Sequence, residues 1–346
     1  MAMAPPPSLD PRKTAAFRDG AVTLRRELFS VVRAEAPFLE LAGGVKPSAL
    51  IEDLRRLAAN TPERALGYVE LLDQIRMLAG LLLAHRGPDR ARVLEGLRGH
   101  ATPVPVAGGW VALDFHLFRD LRTLALGAWE PENAAFLAAH LGPGQVAIDV
   151  GAHVGHFTVL AAARVAGGAT GRVLACEPAP SNLERLRRNL ALNDFGDTVE
   201  VLPVALGAVR GTGSFFDDGG SDGTEFSMMA PRKAGDGRAF EAPVETLDGI
   251  CAARGIAEVH LIKIDVEGAE ADVLRGAART LAASPRLTLL IELHPWITPP
   301  RDVLVPLAER GFRLFDVRAP ATLLPLDRAI EHFAGGGDVA AIKGDP

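Results

Sequence analysis

The chain has 346 residues, 48% hydrophobic and 23% charged, which is enough apolar material for a large core in one or two domains. Its formal net charge of −6 excludes a nucleic-acid binder of the ordinary basic kind, and its longest apolar runs, Met77–Ala84 and Leu287–Ile291, fall short of the roughly 18 residues of a membrane span. Prolines occupy Met1–Lys13 where a secretory signal needs an apolar stretch. Two cysteines, Cys176 and Cys251, make neither a disulfide framework nor a zinc site by themselves. The expectation is a cytoplasmic protein with two buried thiols and no nucleic-acid or membrane partner.

Residues 1–101 read as a helical region. Phe17–Ala36 has a helical pattern, and Ser48 opens a shorter helix through Leu50, Leu54 and Leu57. Thr61-Pro62-Glu63 is a helix start, with a side-chain acceptor at the cap followed by a proline that needs no N–H there. Behind it, Leu66, Val69, Leu72, Ile75, Leu78 and Leu82 recur every three or four residues as one apolar stripe. These helices fit an accessory role: acceptor recognition, docking of a carrier protein or formation of a homodimer.

From Thr102 the texture changes, and 102–346 reads as one catalytic domain. Val104, Val106, Trp110, Val111 and Leu113 suggest short strands about a Gly108-Gly109 turn. Strands are then expected at Val146–Val150, Val173–Cys176, Val199–Val204, His260–Asp265, Leu287–Leu293, Phe312–Val317 and Val339–Ile342. Helical patterns lie between most of them, at Thr158–Val165, Ser181–Leu192, Glu270–Leu281 and Val303–Arg310. This alternation predicts an α/β fold with a doubly wound, mostly parallel sheet. Gly211–Gly237, rich in glycine and aspartate, is expected to be a flexible loop. Extended to 240, the segment holds Phe215, Phe216, Phe226, Met228 and Met229 as candidates for a water-excluding lid.

Ligands of such sheets bind beyond the carboxyl ends of the strands. The first candidate is therefore the turn Asp149-Val150-Gly151-Ala152-His153-Val154-Gly155, where glycines permit a bend and a helix start offers free N–H groups. Asp149 suits a ligand ammonium group. Glu177 ends the second strand and can accept from two ribose hydroxyls, with Pro178 as an apolar surface for a purine; the plainer reading is an acid capping the helix near Ser181. The third constellation is Lys263-Ile264-Asp265-Val266-Glu267-Gly268-Ala269-Glu270. Lys263, inside a buried strand, needs a charged partner, either Asp265 or Glu292. Glu292 and His294 share a face of an extended segment, and His294 has the pKa range of a general base.

Taken in order, Asp149–Thr158 (DVGAHVGHFT), Glu177-Pro178, Glu245-Thr246-Leu247-Asp248 and Lys263–Glu270 (KIDVEGAE) resemble the FkbM family of S-adenosylmethionine-dependent methyltransferases. Gly127-Ala128-Trp129-Glu130-Pro131 is similar to that family's lead-in. The resemblance covers about Trp110–Val317. It implies a class I methyltransferase fold, a seven-stranded sheet with its last strand antiparallel, and O-methylation of a small molecule, natural product or sugar. It also implies roles: Gly151, Ala152, His153 and Gly155 along the methionine part of the donor, with Asp149 and Glu130 at its amino end. Glu177 and Pro178 would hold the ribose and purine, Ala205 and Leu206 the adenine, and Asp265 and Glu267 would lie by the transferable methyl. His153 stands where many members carry asparagine.

The candidate catalytic group is Asp265, Glu292, His294 and Lys263, with His294 or one of the carboxylates Asp265 and Glu292 as the base. Asp265, Glu292 and His294 would also suit magnesium, although the metal-free arrangement is favoured because the same residues form an ion-pair network. Two other classes share the fold. A nicotinamide-dependent oxidoreductase would use the same adenosine site but is disfavoured by His153 in place of a fingerprint glycine and by acidic Asp149. The other is a nucleotide-binding module without catalysis.

Overall fold

A computed structural model describes residues 21–23, 25–26, 28, 30, 68–84, 101–114, 129–217, 226–227 and 239–344. The patterns at 48–57 and 61–63, the lead-in residues 127–128, and Met228 and Met229 lie outside them. The described residues fall in two compact units, one of 130–344 with 107–109, the other of the earlier residues with 110–114 and 129. The shift at 101/102 from helical to strand pattern marks a change of element.

In the smaller unit the described positions between 21 and 30 are helical, and α1 spans Tyr68–Ala84. Of the expected stripe, Leu72, Ile75 and Leu78 are buried there together with Leu71 and Ala79, while Leu66 and the side chains of Val69 and Leu82 lie outside what is described. Strands β1 (Ala101–Val106) and β2 (Gly109–Asp114) pair as a two-stranded sheet.

The larger unit opens with α2 (Pro131–His140), β3 (Val146–Val150), α3 (His156–Val165), β4 (Arg172–Cys176), α4 (Pro180–Ala191) and β5 (Val199–Leu202). There follow β6 (Ala205–Leu206), β7 (Gly211–Asp217), β8 (Phe226–Ser227), β9 (Ala239–Glu245), α5 (Leu247–Ala253) and β10 (Leu261–Ile264). The chain continues through α6 (Glu270–Arg275), α7 (Ala278–Ala283), β11 (Leu287–Leu293), α8 (Pro300–Glu309), β12 (Arg313–Asp316), β13 (Leu323–Leu324), α9 (Leu326–His332) and β14 (Gly337–Lys343).

The main sheet has the order β13-β12-β14-β11-β10-β3-β4-β5. Strands β3, β4, β5, β10 and β11 run parallel, and β14 inserts antiparallel between β11 and β12. Seven strands are as expected; the eighth, β13, is a two-residue addition at the edge. The parallel strands are nearly continuous apolar runs because helices cover both faces. Ile148, Leu174, Ile262, Ile264, Leu289 and Ile291 are each at most 1% exposed within one core.

Two expectations are corrected. The segment from Gly211 begins as strand β7, not as a loop. It pairs antiparallel with β9, and the facing Phe215 and Phe240 stack with ring centroids 5.3 Å apart. Phe215 is thus fixed in a small core with Ala205, Ala242 and Val244, and is not free to close over a site. The cross-strand aromatic pair overrides the polar, glycine-rich composition. The single helix expected over Glu270–Leu281 is divided at Gly276 into α6 and α7, where a Cβ would lie 2.0 Å from the Gly207 carbonyl oxygen.

The ETLD segment serves these junctions. Thr246 caps α5 by accepting from the Gly249 N–H (3.1 Å), and Asp248 accepts from the Arg279 and Thr280 N–H groups at the start of α7 (2.9 and 2.8 Å). Cys176 and Cys251 are buried and unbridged. Among the described residues no helix is long and apolar enough to cross a membrane.

Candidate active site

The turn after β3 is built by close approach of two strand ends. Gly151 has φ +80°, and a Cβ on it would lie 1.8 Å from the Asp265 carbonyl oxygen. The Gly151 and Ala152 N–H groups both donate to the Cys176 carbonyl at 3.0 Å, drawing the ends of β3 and β4 together. Asp149, one residue before the strand end, is 3% exposed. Its Oδ2 accepts from the Thr158 hydroxyl at 2.6 Å, whereas Oδ1 is buried with no hydrogen-bond partner. Burial pushes the Asp149 carboxyl above its ordinary range, against the pull of Lys263.

Glu177 is buried at the end of β4. Its Oε2 accepts from the His153 N–H (2.8 Å), and its Oε1 from the Ala179 N–H (2.9 Å) and the Asn182 amide (3.3 Å). It therefore ties the turn after β3 to the entrance of α4, and a carboxylate still has lone pairs for further donors. Burial raises its pKa to about 7.

The ends of β10 and β11 carry the polar centre. Lys263 is paired with Asp149 in the strand register, is 5% exposed, and meets Asp265 at 3.0 Å with its ammonium 4.9 Å from the Phe157 ring centre. Of its two candidate partners, Asp265 is the one in contact. Burial alone would depress Lys263, but the Asp265, Asp149 and Glu130 carboxylates outweigh it and hold the pKa above its usual value. Glu130 precedes α2 and accepts from the Asn133 amide at 2.9 Å; burial raises its pKa. Glu292 faces Asp338 across β11 and β14. The Asp265 carboxylate first, then burial, pushes Glu292 upward.

His294 follows β11 and is 3% exposed. Its Nδ1 lies 2.8 Å from Glu270 Oε1, and its Nε2 lies 3.2 Å from Glu267 and 4.0 Å from Glu292. Burial would lower its pKa, but the hydrogen bond to Glu270 and the charge of Glu267 reverse the direction. Among the described residues, the three non-glycine positions with positive φ are Glu130 (41°), His153 (52°) and Glu267 (52°). All three belong to this site, where the surrounding structure must hold them at a cost of order 1 kcal/mol each. One atom each from Asp265, Glu267 and His294 lie within 4.8 Å of one another. Of the two carboxylates, Glu267 is nearer to His294 Nε2 than Glu292 is.

Of the residues singled out in the sequence, Glu130, Asp149, Lys263, Asp265, Glu267, Glu292 and His294 are brought into one electrostatically coupled group. Gly151, Ala152, His153 and Gly155 form the adjoining turn, bound through His153 to Glu177, with Pro178 half-buried beside it. Ala205 and Leu206 are buried in β6 of the second sheet. The sequence alone assigns no individual role to Thr158, Asn133, Asp338 or Glu270. Thr158 and Glu270 each carried a sequence signal, as the last residues of DVGAHVGHFT and KIDVEGAE.

Seven carboxylates, Glu130, Asp149, Asp265, Glu267, Glu270, Glu292 and Asp338, thus surround Lys263 and His294 near the carboxyl ends of parallel strands. This strand order, with one antiparallel insertion and an acidic crevice at the strand ends, defines a class I methyltransferase fold. Residues 149–314 match the family model described as "Methyltransferase FkbM domain". Over that segment the chain is similar to the FkbM methyltransferase family. It is 29% identical over 205 residues to the 31-O-demethyl-FK506 methyltransferase FkbM of Streptomyces tacrolimicus, an alignment covering 52% of this chain and 77% of that one. Among solved structures it is similar to methyltransferase FkbM from Methylobacillus flagellatus KT (16% identity, TM-score 0.37, covering 86% of this chain and 70% of that one). It is also similar to an O-methyltransferase from Bacillus cereus in complex with SAH (12% identity, TM-score 0.36, covering 62% and 82%).

Proposed function

We propose that this protein transfers a methyl group from S-adenosylmethionine to a hydroxyl oxygen of a small-molecule or sugar acceptor. The observation that carries the reading is Asp149 Oδ1, a buried acceptor without a partner beside an excess of carboxylates. A buried, unmatched anion is costly, and a ligand carrying an ammonium and a sulfonium supplies the missing charge. A pyrophosphate would meet the same carboxylates with repulsion, which disfavours a nicotinamide dinucleotide. The name of the Streptomyces relative describes methyl transfer to an oxygen, in support of a hydroxyl acceptor. Buried, unbridged thiols fit a cytoplasmic setting, and the smaller unit fits acceptor selection or a homodimer contact.

The donor, when bound, supplies a methyl group on positively charged sulfur. On this reading Glu177 and Pro178 hold its ribose and purine, Ala205 and Leu206 flank the adenine, and Asp149 and Glu130 receive its amino group. Gly151, Ala152 and Gly155 let the backbone approach the methionine part. Asp265 and Glu267 face the methyl end, and Lys263 holds Asp265 in place. Positioning of the acceptor oxygen can contribute about 7–11 kcal/mol. His294 Nε2 would take the hydroxyl proton as the methyl passes to oxygen, its bond to sulfur breaking to leave S-adenosylhomocysteine, and such a base is worth roughly 10²–10⁴ in rate.

Calorimetric titration of the full chain with S-adenosylhomocysteine and with NADH tests the reading. Heat from the first and none from the second is expected; the reverse assigns a dinucleotide site, and silence from both removes the donor assignment. Labelled methyl transfer over a panel of hydroxylated small molecules and sugars then identifies the acceptor. Turnover is expected to survive chelation unchanged. Loss restored by magnesium would instead assign a cation to Asp265, Glu267 and His294.

A further inference from the structure

We propose that Glu270 is the positioning residue of proton transfer: its wholly buried carboxylate holds Nδ1 of His294 and leaves Nε2 as the atom that receives the acceptor's proton. The inference rests on the reading of His294 as the base. Glu270 is the first residue of α6 and is 0% exposed. Its Oε1 accepts the Gly268 N–H at 2.9 Å and lies 2.8 Å from His294 Nδ1. Its Oε2 is buried with no hydrogen-bond partner. An apolar side chain would pack there without the cost of removing a carboxylate from water, and His294 is the one group in the described residues that makes an ion pair with it.

An ionised carboxylate only accepts, so the ring nitrogen facing it must carry the hydrogen. Neutral His294 is then the Nδ1–H tautomer with its lone pair on Nε2, the atom turned towards Glu267 and Glu292. The two turns that carry the pair are joined, because the Thr298 hydroxyl donates to the Gly268 carbonyl (2.5 Å) while the Thr298 and Ile297 N–H groups donate to the His294 carbonyl (3.0 and 2.9 Å). Trp296 stands edge-on to the imidazole with ring centroids 5.3 Å apart, limiting its rotation. Glu270, Glu267, Glu292 and Asp265 all favour the charged ring. The proton held on Nε2 must therefore leave before an acceptor hydroxyl can deliver its own.

The test is a long-range ¹H–¹⁵N spectrum of the full chain, which reports the tautomer and titration of His294 directly. Wild type above its titration midpoint is expected to show Nδ1–H. Glu270→Ala should shift the ring to Nε2–H, and both Glu270→Ala and Glu270→Gln should lower the midpoint by about one pH unit or more, a tenfold change in proton affinity. A wild-type ring protonated on Nε2, or a Glu270→Ala protein that keeps both tautomer and midpoint, overturns the proposal. Should Glu270→Ala fail to fold, an unchanged midpoint in Glu270→Gln overturns it equally. Wild-type binding of S-adenosylhomocysteine is measured alongside. Its absence would remove the donor assignment, whereas its presence with an indifferent Glu270 would remove this proposal alone.

Discussion

Asp149 illustrates how much a single atom decides. Thr158 satisfies one of its oxygens and leaves the other buried and unmatched. Asp149→Asn keeps the shape but removes the charge, and a hydrogen bond to a charged group is worth about 1.5–3 kcal/mol. S-adenosylhomocysteine is therefore expected to bind about 10–100-fold more weakly to this variant by calorimetry. Glu177 makes a prediction in pH. Its carboxyl is raised from 4.5 to about 7 by burial, so between these values the folded protein binds more protons than the unfolded chain. Stability from this group is fully present below pH 4.5 and is lost as pH rises through 7, by up to about 3 kcal/mol. Denaturant unfolding across that window should show the decline, and Glu177→Gln should flatten it. Both acids were legible in the sequence because each ends or nearly ends an apolar run. The contacts of Glu270 and Asp338 were not, because their partners are remote in the chain: Glu270 meets a histidine 24 residues away, and no local pattern encodes that distance.

At the level of elements, the parallel strands could be read directly, since burial on both faces leaves an unbroken apolar signature such as Leu287–Leu293. The second sheet could not. Strand β7 (GTGSFFD) has the composition of a loop and is held by its pairing with β9 and by Phe215 against Phe240. The division between α6 and α7 was equally hidden, because what requires Gly276 is the Gly207 carbonyl, brought there by tertiary packing. The Thr246 cap is a local signal with a measurable consequence. Thr246→Ala deprives the Gly249 N–H of its acceptor and is expected to lower stability by about 1 kcal/mol in urea unfolding.

For the whole molecule, the convergence of acidic groups from α2, β3, β10, β11 and β14 links ligand binding to stability. A ligand bound only by the folded state at 100 times its Kd adds about 2.7 kcal/mol. S-adenosylhomocysteine at that excess should raise Tm by a few degrees in calorimetric scans, and NADH at equal concentration should leave it unchanged. Strand β14 has a consequence of another kind. It is the last of the sheet's strands in chain order, yet it sits between β11 and β12 and pairs with both. While the polypeptide emerges from the ribosome, these two neighbours face each other across a gap with unsatisfied backbone edges. Closure must wait until translation has passed Lys343, and a nascent chain stalled short of that point is a natural client for chaperones.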